Sequence, residues 1–272
     1  MKKITITIIV FCISINVFSQ ELRKINNEAF KRGEVLKYRA YYDAWIANIG
    51  AGEAVFTIKN ENRKIANRNT MHIEAIGKSK GAFNWFFKVD DRYETYIDEE
   101  AIAPWLFIRR VYEDGYVASQ DVTFNQFKNK VYFKDNKLKR KSTLDVPEYT
   151  HDIVSAIFYA RTLDFNNLKI NDEFPIQFMF DDTVFTSKIV YLGKATLKIG
   201  LGKFNCLKFK PMVLTGNVFD DPYPMVLYVT DDKNHIPVLA VSKILVGSVK
   251  LELIDYKGLA NPLTSKINHK KH

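Results

Sequence analysis

Short segments rich in β-branched and aromatic residues recur along almost the whole chain, and this pattern constrains the fold more than any other feature. Segments of this length and composition, bounded by turn residues, are typical of β-strands. The predicted strands are 35–42, 52–59, 71–77, 91–97, 106–112, 116–124, 130–133, 173–180, 183–193, 195–199, 204–213, 225–230, 237–244 and 247–256. The sequence therefore predicts a mainly β protein.

The connections between these segments favour hairpins. Residues that tolerate tight or left-handed backbone separate the segments, as at Asp114-Gly115. Within the last segment, Val249, Leu251 and Leu253 alternate with polar residues. This alternation is expected of an antiparallel strand with one face buried and the other wet.

One segment has helical rather than strand periodicity. Ile153, Ala156 and Ile157 are spaced so that they fall on one face of a helix, and Asp152 precedes them as a potential N-cap. The spacing predicts one short amphipathic helix over 152–163.

A second segment, 78–88, also departs from the strand pattern. Phe83, Trp85, Phe86 and Phe87 are crowded together there. This composition predicts a short helix or turn whose aromatic side chains form a small hydrophobic plug rather than a ligand platform.

The first residues are typical of a secretory leader. Lys2 and Lys3 form a basic start, and the mostly apolar stretch 4–17 follows. We expect a signal peptide over 1–19, removed by cleavage before Gln20. The mature protein is then predicted to be exported, in the periplasm or associated with the cell envelope.

The mature chain is expected to form one domain. No internal repeat and no Pro/Gly/Ser-rich linker divides it, so we predict a single β-rich domain over 20–260 followed by a basic, flexible tail over 261–272. After the leader, no segment approaches the roughly 20 apolar residues that a transmembrane helix needs. We therefore expect no membrane span after cleavage.

The cysteines argue against a disulfide. Cys12 lies in the leader, and the Val10-Phe11 pair before it disfavours a lipoprotein cleavage site. Cys206 is then the sole thiol of the mature chain, and it alternates with Phe204 in a predicted strand. We expect Cys206 to be a small buried hydrophobic residue rather than a nucleophile.

The chain is moderately basic, with a formal net charge of +9. Part of this excess lies in the run 134–141 and part in the tail. Such runs are usually solvated turns or chain ends, although a basic patch can also contact anionic lipid or polysaccharide. Nucleic acid is the least expected partner of an exported protein.

Several spaced landmarks together resemble a known family. They are Phe30, Gly33, Glu34, Leu36 and Tyr38; Val89, Asp90, Asp91 and Tyr93; Tyr96, Ile97, Asp98 and Pro104; Asp152 to Ala156 and Arg161; Gly202, Phe204 and Pro211; and Val229 to Asp232, Ile236 to Val238 and Gly247 to Val249. The set resembles the exported bacterial proteins called domain of unknown function 3108, which have a YmcC-like fold. The resemblance implies one large antiparallel, curved or barrel-like sheet, and no established chemistry.

Catalytic motifs are not evident. Ser155 lies near His151, but the pair lacks an orienting acid and a nucleophile elbow. The histidines and acidic pairs lack the spacing of metal ligands, and no Gly-rich phosphate loop is present. We therefore predict no catalytic residues, no metal and no cofactor. A carboxylate pair for glycoside hydrolysis stays open, because only the distance between such groups in space identifies it.

Arg161 follows the predicted helix and is a candidate for a structural ion pair. We expect it to pair with Asp91 or Asp98, which would fix the helix against the sheet.

The predicted function is non-catalytic binding of a hydrophobic or glycan-like ligand in the cell envelope. The reasons are the predicted export, the aromatic content of 14% and the lack of catalytic motifs. One alternative is a structural or interaction module that binds another envelope protein, and a second is an enzyme acting on envelope polymers. The candidate contact residues are Trp45, Trp85, Trp105 and Tyr223, because Trp and Tyr combine apolar area with a polar group.

Overall fold

The computed structural model describes residues 21–44, 47–212, 221–244 and 247–267, and the predicted signal peptide lies outside these ranges. The strands are β1 Val35–Ala44, β2 Ala47–Ile58, β3 Arg63–Ile65, β4 Arg68–Ser79, β5 Asp90–Asp98, β6 Pro104–Glu113, β7 Tyr116–Asn125, β8 Lys130–Asp135, β9 Arg140–Asp145, β10 Glu173–Phe180, β11 Thr183–Ile199, β12 Gly202–Pro211, β13 Met225–Thr230, β14 Pro237–Lys243, β15 Ser248–Lys257 and β16 Lys266–Ile267. The helices are α1 Phe83–Phe86 and α2 Ile153–Ala160. The protein is mainly β, as predicted.

All the strands belong to one antiparallel sheet. Its order is β10-β11-β12-β13-β14-β15-β1-β2-β4-β5-β6-β7-β8-β9, with β3 beside β4 and β16 beside β12. Almost every neighbour in this order is also a neighbour in sequence, which explains why hairpin turns separate the strands. The exceptions are β2 with β4, which the short β3 separates in sequence, and β1 with β15, which joins the two halves of the chain.

The sheet is strongly curved but does not close. Its edge strands, β9 and β10, share no ladder, yet Arg140 on β9 contacts Asp182 beyond the end of β10 at 3.1 Å. On β6, Arg109 contacts the neighbouring Asp181 at 2.8 Å. Helix α2 contacts both β10 and β5, so it lies on the concave face. The predicted curved antiparallel sheet is confirmed.

The curved sheet has two ends that differ in composition. Because hairpins alternate along an antiparallel sheet, the turns β1–β2, β4–β5, β6–β7, β8–β9 and β10–β11 all lie at one end. We call it the lysine end, since the basic run 134–141 spans the β8–β9 turn and the strand ends beside it. The opposite end contains the β11–β12 turn and the loop before β14.

A capping box begins α2. The Asp152 carboxylate accepts hydrogen bonds from the backbone N–H groups of Val154 and Ser155, both at 2.8 Å, and Ser155 Oγ accepts one from the Asp152 N–H at 2.9 Å. The helix is shorter than the predicted 152–163 because Arg161 is its C-cap. Its buried face contributes Val154 and Phe158 to the main core.

Two strands occur where turns or tail were predicted. Strand β9 lies partly within the basic run 134–141. Its side chains are mostly exposed, so the sequence shows no buried apolar face that would predict a strand there. At the C-terminus, β16 pairs with β12, and the Ser265 N–H donates to Asp232 at 3.1 Å. The prediction of a flexible tail from residue 261 is therefore wrong for 261–267, and residues 268–272 lie outside the described ranges.

Candidate functional site

An apolar cavity lies between α2 and the concave face of the sheet. Its volume is about 670 Å³, which is within the usual range for small-molecule sites. The walls of the cavity are formed by strands β1, β2 and β10 to β15 and by α2. Residues from distant parts of the chain thus meet around one space, among them Phe56, Ile157, Phe209, Leu227 and Leu251.

The cavity is closed at the end of the sheet that contains the β11–β12 turn, and it is more open toward the lysine end. At the closed side, Leu36 and Tyr38 are each only 3% exposed. Nearer the lysine end, Pro211, Met212 and Met225 are half-buried. On the helix, Ile153 and Ile157 are each 38% exposed, although both line the cavity. This gradient of exposure places the mouth at the lysine end.

The Arg161 guanidinium closes the deep end of the cavity. It donates to both carboxylate oxygens of Glu34, at 2.5 and 2.9 Å, and to the backbone carbonyls of Asn234 and Ala29, each at 3.1 Å. His235 Nδ1 lies 2.8 Å from the Arg161 carbonyl oxygen, and burial lowers the pKa of His235. Most of the hydrogen-bonding capacity of these groups is used among themselves and on backbone carbonyls, so they form a wall rather than a reactive centre.

The predicted pairing of Arg161 with Asp91 or Asp98 is wrong. Asp98 accepts two hydrogen bonds from Arg68, both at 2.8 Å. Asp91 accepts from the Tyr112 N–H, and burial, reinforced by the nearby Glu113 carboxylate, raises its pKa to about 7. Both aspartates lie on β5, whereas the C-terminus of α2 points to the start of β1.

The Ser155–His151 pair has no access to a substrate. His151 Nδ1 lies 3.2 Å from Ser155 Oγ, but both residues are buried, at 2% and 0% exposure. Burial, with a smaller contribution from Arg23, lowers the pKa of His151 to about 3. Burial also raises the pKa of Asp152 to about 6. The group is a helix cap inside the core, not a nucleophile with its base.

His72 also has a structural environment. Its Nε2 lies 2.8 Å from Glu94, its Nδ1 contacts Glu61, and its ring stacks on Tyr96 with centroids 4.2 Å apart. Within the described ranges, no three His, Cys, Asp or Glu side chains come together in a way that would hold a metal ion.

Cys206 is fully buried, and burial raises the pKa of its thiol to about 12. The prediction that it is a buried hydrophobic residue is confirmed.

The predicted contact residues are dispersed, and those that can be placed do not line the cavity. Trp85 is 89% exposed, at the lysine end. Trp105 is buried, and its Nε1 donates a hydrogen bond to the Asp98 carboxylate at 3.1 Å. Its contacts are therefore structural. Tyr223 is half-buried, with Lys210 Nζ 4.9 Å from its ring centroid. Trp45 lies outside the described residues.

The cavity was missed because its lining consists of ordinary core residues. Phe, Leu, Ile and Met in strands predict burial, and only the path of the sheet shows that some of them surround a space. One signal was available in the sequence. The predicted helix is apolar on more than one face, since Val154 and Phe158 face the core while Ile153 and Ile157 do not.

The aromatic segment 78–88 differs from its prediction as a plug. It contains α1, in which Trp85 is 89% exposed and Phe86 80% exposed. The ring of Phe83 contacts Tyr42, with centroids 6.1 Å apart, and this anchors the segment to β1. The two most exposed rings therefore point away from the sheet.

Neither helix in the described parts of the chain is long and apolar enough to cross a bilayer.

Several solved structures are similar to this chain. A β-barrel-like protein of domain of unknown function DUF1849 from Brucella abortus is 13% identical, with a TM-score of 0.52, covering 87% of this chain and 98% of its own. A candidate lipoprotein from Parabacteroides distasonis is 11% identical, with a TM-score of 0.30, covering 88% and 100%. A candidate exported protein with a YmcC-like fold from Bacteroides fragilis is 12% identical, with a TM-score of 0.31, covering 85% and 100%. The first of these shows a shared fold.

No curated protein matches the chain significantly. The model of the family described as "Protein of unknown function (DUF3108)" matches residues 37–254, which is most of the sheet. The chain therefore belongs to the DUF3108 family of proteins of unknown function.

Proposed function

We propose that this protein is an exported, non-catalytic binding protein that holds a hydrophobic molecule in the cavity beside α2. The observation that carries this proposal is a space of about 670 Å³ lined almost wholly by apolar side chains. The export part of the proposal is supported by the leader pattern over 1–19.

The chemistry of the lining favours an apolar ligand over a glycan. A buried hydroxyl needs a hydrogen-bonding partner, because burying it without one is unfavourable by roughly 1–3 kcal/mol. Tyr38, Arg161 and His235 are the polar side chains with clear donors on the cavity wall. Tyr38 already donates to the Pro237 carbonyl at 3.1 Å, and Arg161 makes four hydrogen bonds to Glu34 and backbone oxygens. A sugar would find few partners, whereas an acyl chain needs none.

The position of α2 supports the same conclusion. Ile153 and Ile157 keep more than a third of their surface exposed while facing the cavity, although an amphipathic helix normally buries such residues. An apolar ligand would cover them. Burying apolar surface contributes about 25 cal/mol per Å², so covering this helix face would favour binding.

The enzyme alternative has little support at this site. The described residues that line the cavity include no Asp or Glu, so no carboxylate pair converges there. His235 is held by the Arg161 carbonyl and kept neutral by burial. The groups needed for acid–base attack on a polymer are thus missing from the cavity wall.

Binding of a fluorescent long-chain fatty acid to the purified mature protein tests the proposal. Ala240 lines the cavity on β14, and Ala240→Phe would place a ring in the space. We expect this variant to weaken binding on the order of tenfold or more. As the control, Thr196→Phe adds the same ring to an exposed residue of β11, a strand that also contributes to the wall. It should bind as the unmodified protein does.

Native mass spectrometry of protein taken from its own host's envelope provides a second readout. A reproducible added mass that Ala240→Phe loses would support the proposal. Failure of the unmodified protein to bind the fatty acid, together with a bare chain mass from the host, would overturn it.

A further inference from the structure

Exposed aromatic side chains are concentrated at the lysine end of the sheet. Trp85 and Phe86 on α1 are 89% and 80% exposed, and Phe87 is 41% exposed. Apolar side chains exposed next to one another, unlike scattered ones, are typical of an interaction site.

The neighbouring hairpins extend this apolar surface. On the β6–β7 hairpin, Tyr112 is 39% and Tyr116 50% exposed, and Ile49 at the start of β2 is 41% exposed. The Asp114 N–H donates to the Lys88 carbonyl at 2.8 Å, which ties this hairpin to the segment that carries α1. The exposed rings therefore belong to one connected surface, not to separate loops.

Basic residues border the aromatic surface. The β8–β9 turn and its flanks carry Lys134, Lys137, Lys139, Arg140 and Lys141, all exposed. Lys137 Nζ donates to the Val117 carbonyl at 3.2 Å, which places this turn directly beside the β6–β7 hairpin.

Acidic residues offset only part of this charge. Arg140 pairs with Asp182, and Lys80 near α1 pairs with Glu53. Lys88 instead lies over the Tyr112 ring, 5.5 Å from its centroid. The segment 80–88 contains no carboxylate of its own. Asp90, Glu113 and Asp114 also lie at this end, so the positive charge is concentrated at the β8–β9 turn, where Arg140 is the one described basic residue that forms an ion pair.

The cavity mouth lies at the same end. Met212 and Met225, the half-buried lining residues nearest the mouth, lie where β12 ends and β13 begins, at the end of the sheet that carries α1. A surface that holds this end against a membrane would therefore face the mouth toward the lipid.

We propose that the lysine end docks on an anionic phospholipid bilayer, with Trp85 and Phe86 entering the interface and the lysines of the β8–β9 turn contacting lipid phosphates. Aromatic rings favour the headgroup level of a bilayer, and clustered lysines are attracted to an anionic surface. This pairing of exposed rings with a basic border favours a lipid surface over a protein partner. Passage of the ligand between bilayer and cavity rests on the proposed function, whereas docking does not.

Vesicle co-sedimentation of the mature protein tests docking. We expect binding to phosphatidylcholine vesicles that contain phosphatidylglycerol, much weaker binding to phosphatidylcholine alone, and release by high salt. The double variant Trp85→Ser/Phe86→Ser and the double variant Lys137→Gln/Lys139→Gln should each reduce the bound fraction at least severalfold.

The opposite end of the sheet supplies matched controls. Ile170 precedes β10, away from the lysine end, and is 67% exposed, so Ile170→Ser removes a comparably exposed apolar side chain. Lys198 and Lys203 are exposed partners across the β11–β12 hairpin, so Lys198→Gln/Lys203→Gln removes the same charge. Both controls should bind vesicles as the unmodified protein does.

Fatty-acid binding in solution separates the two proposals. Trp85→Ser/Phe86→Ser leaves the cavity lining intact, so it should bind the fluorescent fatty acid normally while losing vesicle binding. Absence of binding to anionic vesicles, or equal losses in the test and control variants, would overturn docking. If the lysine end binds a protein from the envelope but does not bind vesicles, docking on a bilayer would likewise be overturned, in favour of a protein partner.

Discussion

Arg161 and Glu34 form a buried ion pair that joins the C-terminus of α2 to the start of β1, 127 residues away in sequence. Their side chains are 3% and 1% exposed. The guanidinium makes two hydrogen bonds to the carboxylate, at 2.5 and 2.9 Å, and two further hydrogen bonds to backbone carbonyls, each at 3.1 Å. The pair fixes the helix that forms one wall of the cavity.

Arg161→Ala should strongly destabilise the fold, because it leaves the Glu34 carboxylate buried without its partner. Removing one member of a buried pair typically destabilises by about 3–5 kcal/mol. Chemical denaturation would measure this loss. The double variant Arg161→Met/Glu34→Leu buries no charge, so it should be more stable than Arg161→Ala. A midpoint unchanged by Arg161→Ala would contradict the structural role of the pair.

Acid should destabilise the protein through His151. The pKa of His151 is lowered from 6.5 to about 3, so the unfolded chain takes up a proton on this residue before the folded protein does. Stability contributed by this residue is complete above about pH 6.5 and is lost as pH falls toward 3. His151→Gln should therefore show a smaller loss of unfolding free energy between pH 7 and pH 4.

Asp152 should oppose this effect over a narrower range. Its pKa is raised from 3.8 to about 6, so the folded state binds this proton first, and acid stabilises the fold between those values. Asp152→Asn removes that compensation but keeps an acceptor for the helix cap. Its stability should fall more steeply with acid than that of the unmodified protein. Parallel pH profiles for the two proteins would rule out this linkage.

Asp98→Asn should destabilise the sheet around Trp105. Burial would raise the pKa of Asp98, but Arg68, Trp105 and backbone N–H groups together lower it. An asparagine amide would place its NH₂ group, which cannot accept a hydrogen bond, against one of the Arg68 donors. The expected loss of unfolding free energy is about 2–4 kcal/mol. Asp90 on the same strand forms an exposed pair with Lys78, so Asp90→Asn should change stability by less than about 1 kcal/mol. Equal losses in thermal unfolding would contradict this interpretation.

Gly258→Ala should be more harmful than Gly81→Ala, although both glycines have positive φ, at +68° and +59°. A Cβ on Gly258 would lie 2.2 Å from the Gly33 carbonyl oxygen, whereas one on Gly81 meets nothing within 4 Å. Both variants incur the backbone strain of roughly 1 kcal/mol, and only Gly258→Ala adds a clash with main chain. Comparison of unfolding midpoints tests this difference.

Local patterns in the sequence predicted most of the secondary structure, because alternation and turn residues act between near neighbours. Helix α2 was predicted from spacing and from Asp152, and the capping box confirms it. Strand β9 was missed because its side chains are largely exposed, so no buried face marks it among the lysines. The bulge in β11 near Gly193 divided one strand into two predicted segments.

Contacts between residues that are distant in sequence were harder to predict. The acidic partner of Arg161 was wrongly assigned because Asp91, Asp98 and Glu34 are equivalent as charges, and only the path of the sheet brings one of them to the helix. The cavity was missed for a similar reason. A Phe or Leu that faces an empty space has the same sequence pattern as one that packs in a core.

The unclosed sheet described above leaves two strand edges, which are potential templates for the addition of another chain. Both are guarded. Along β10, the His151 N–H donates to the Gln177 carbonyl at 2.9 Å, and the Met179 N–H donates to the His151 carbonyl at 2.7 Å. Along β9, the exposed charges of Arg140 and Lys141 disfavour pairing with a neighbour. A sheet that stays open around an interior space can thus resist aggregation without closing into a cylinder.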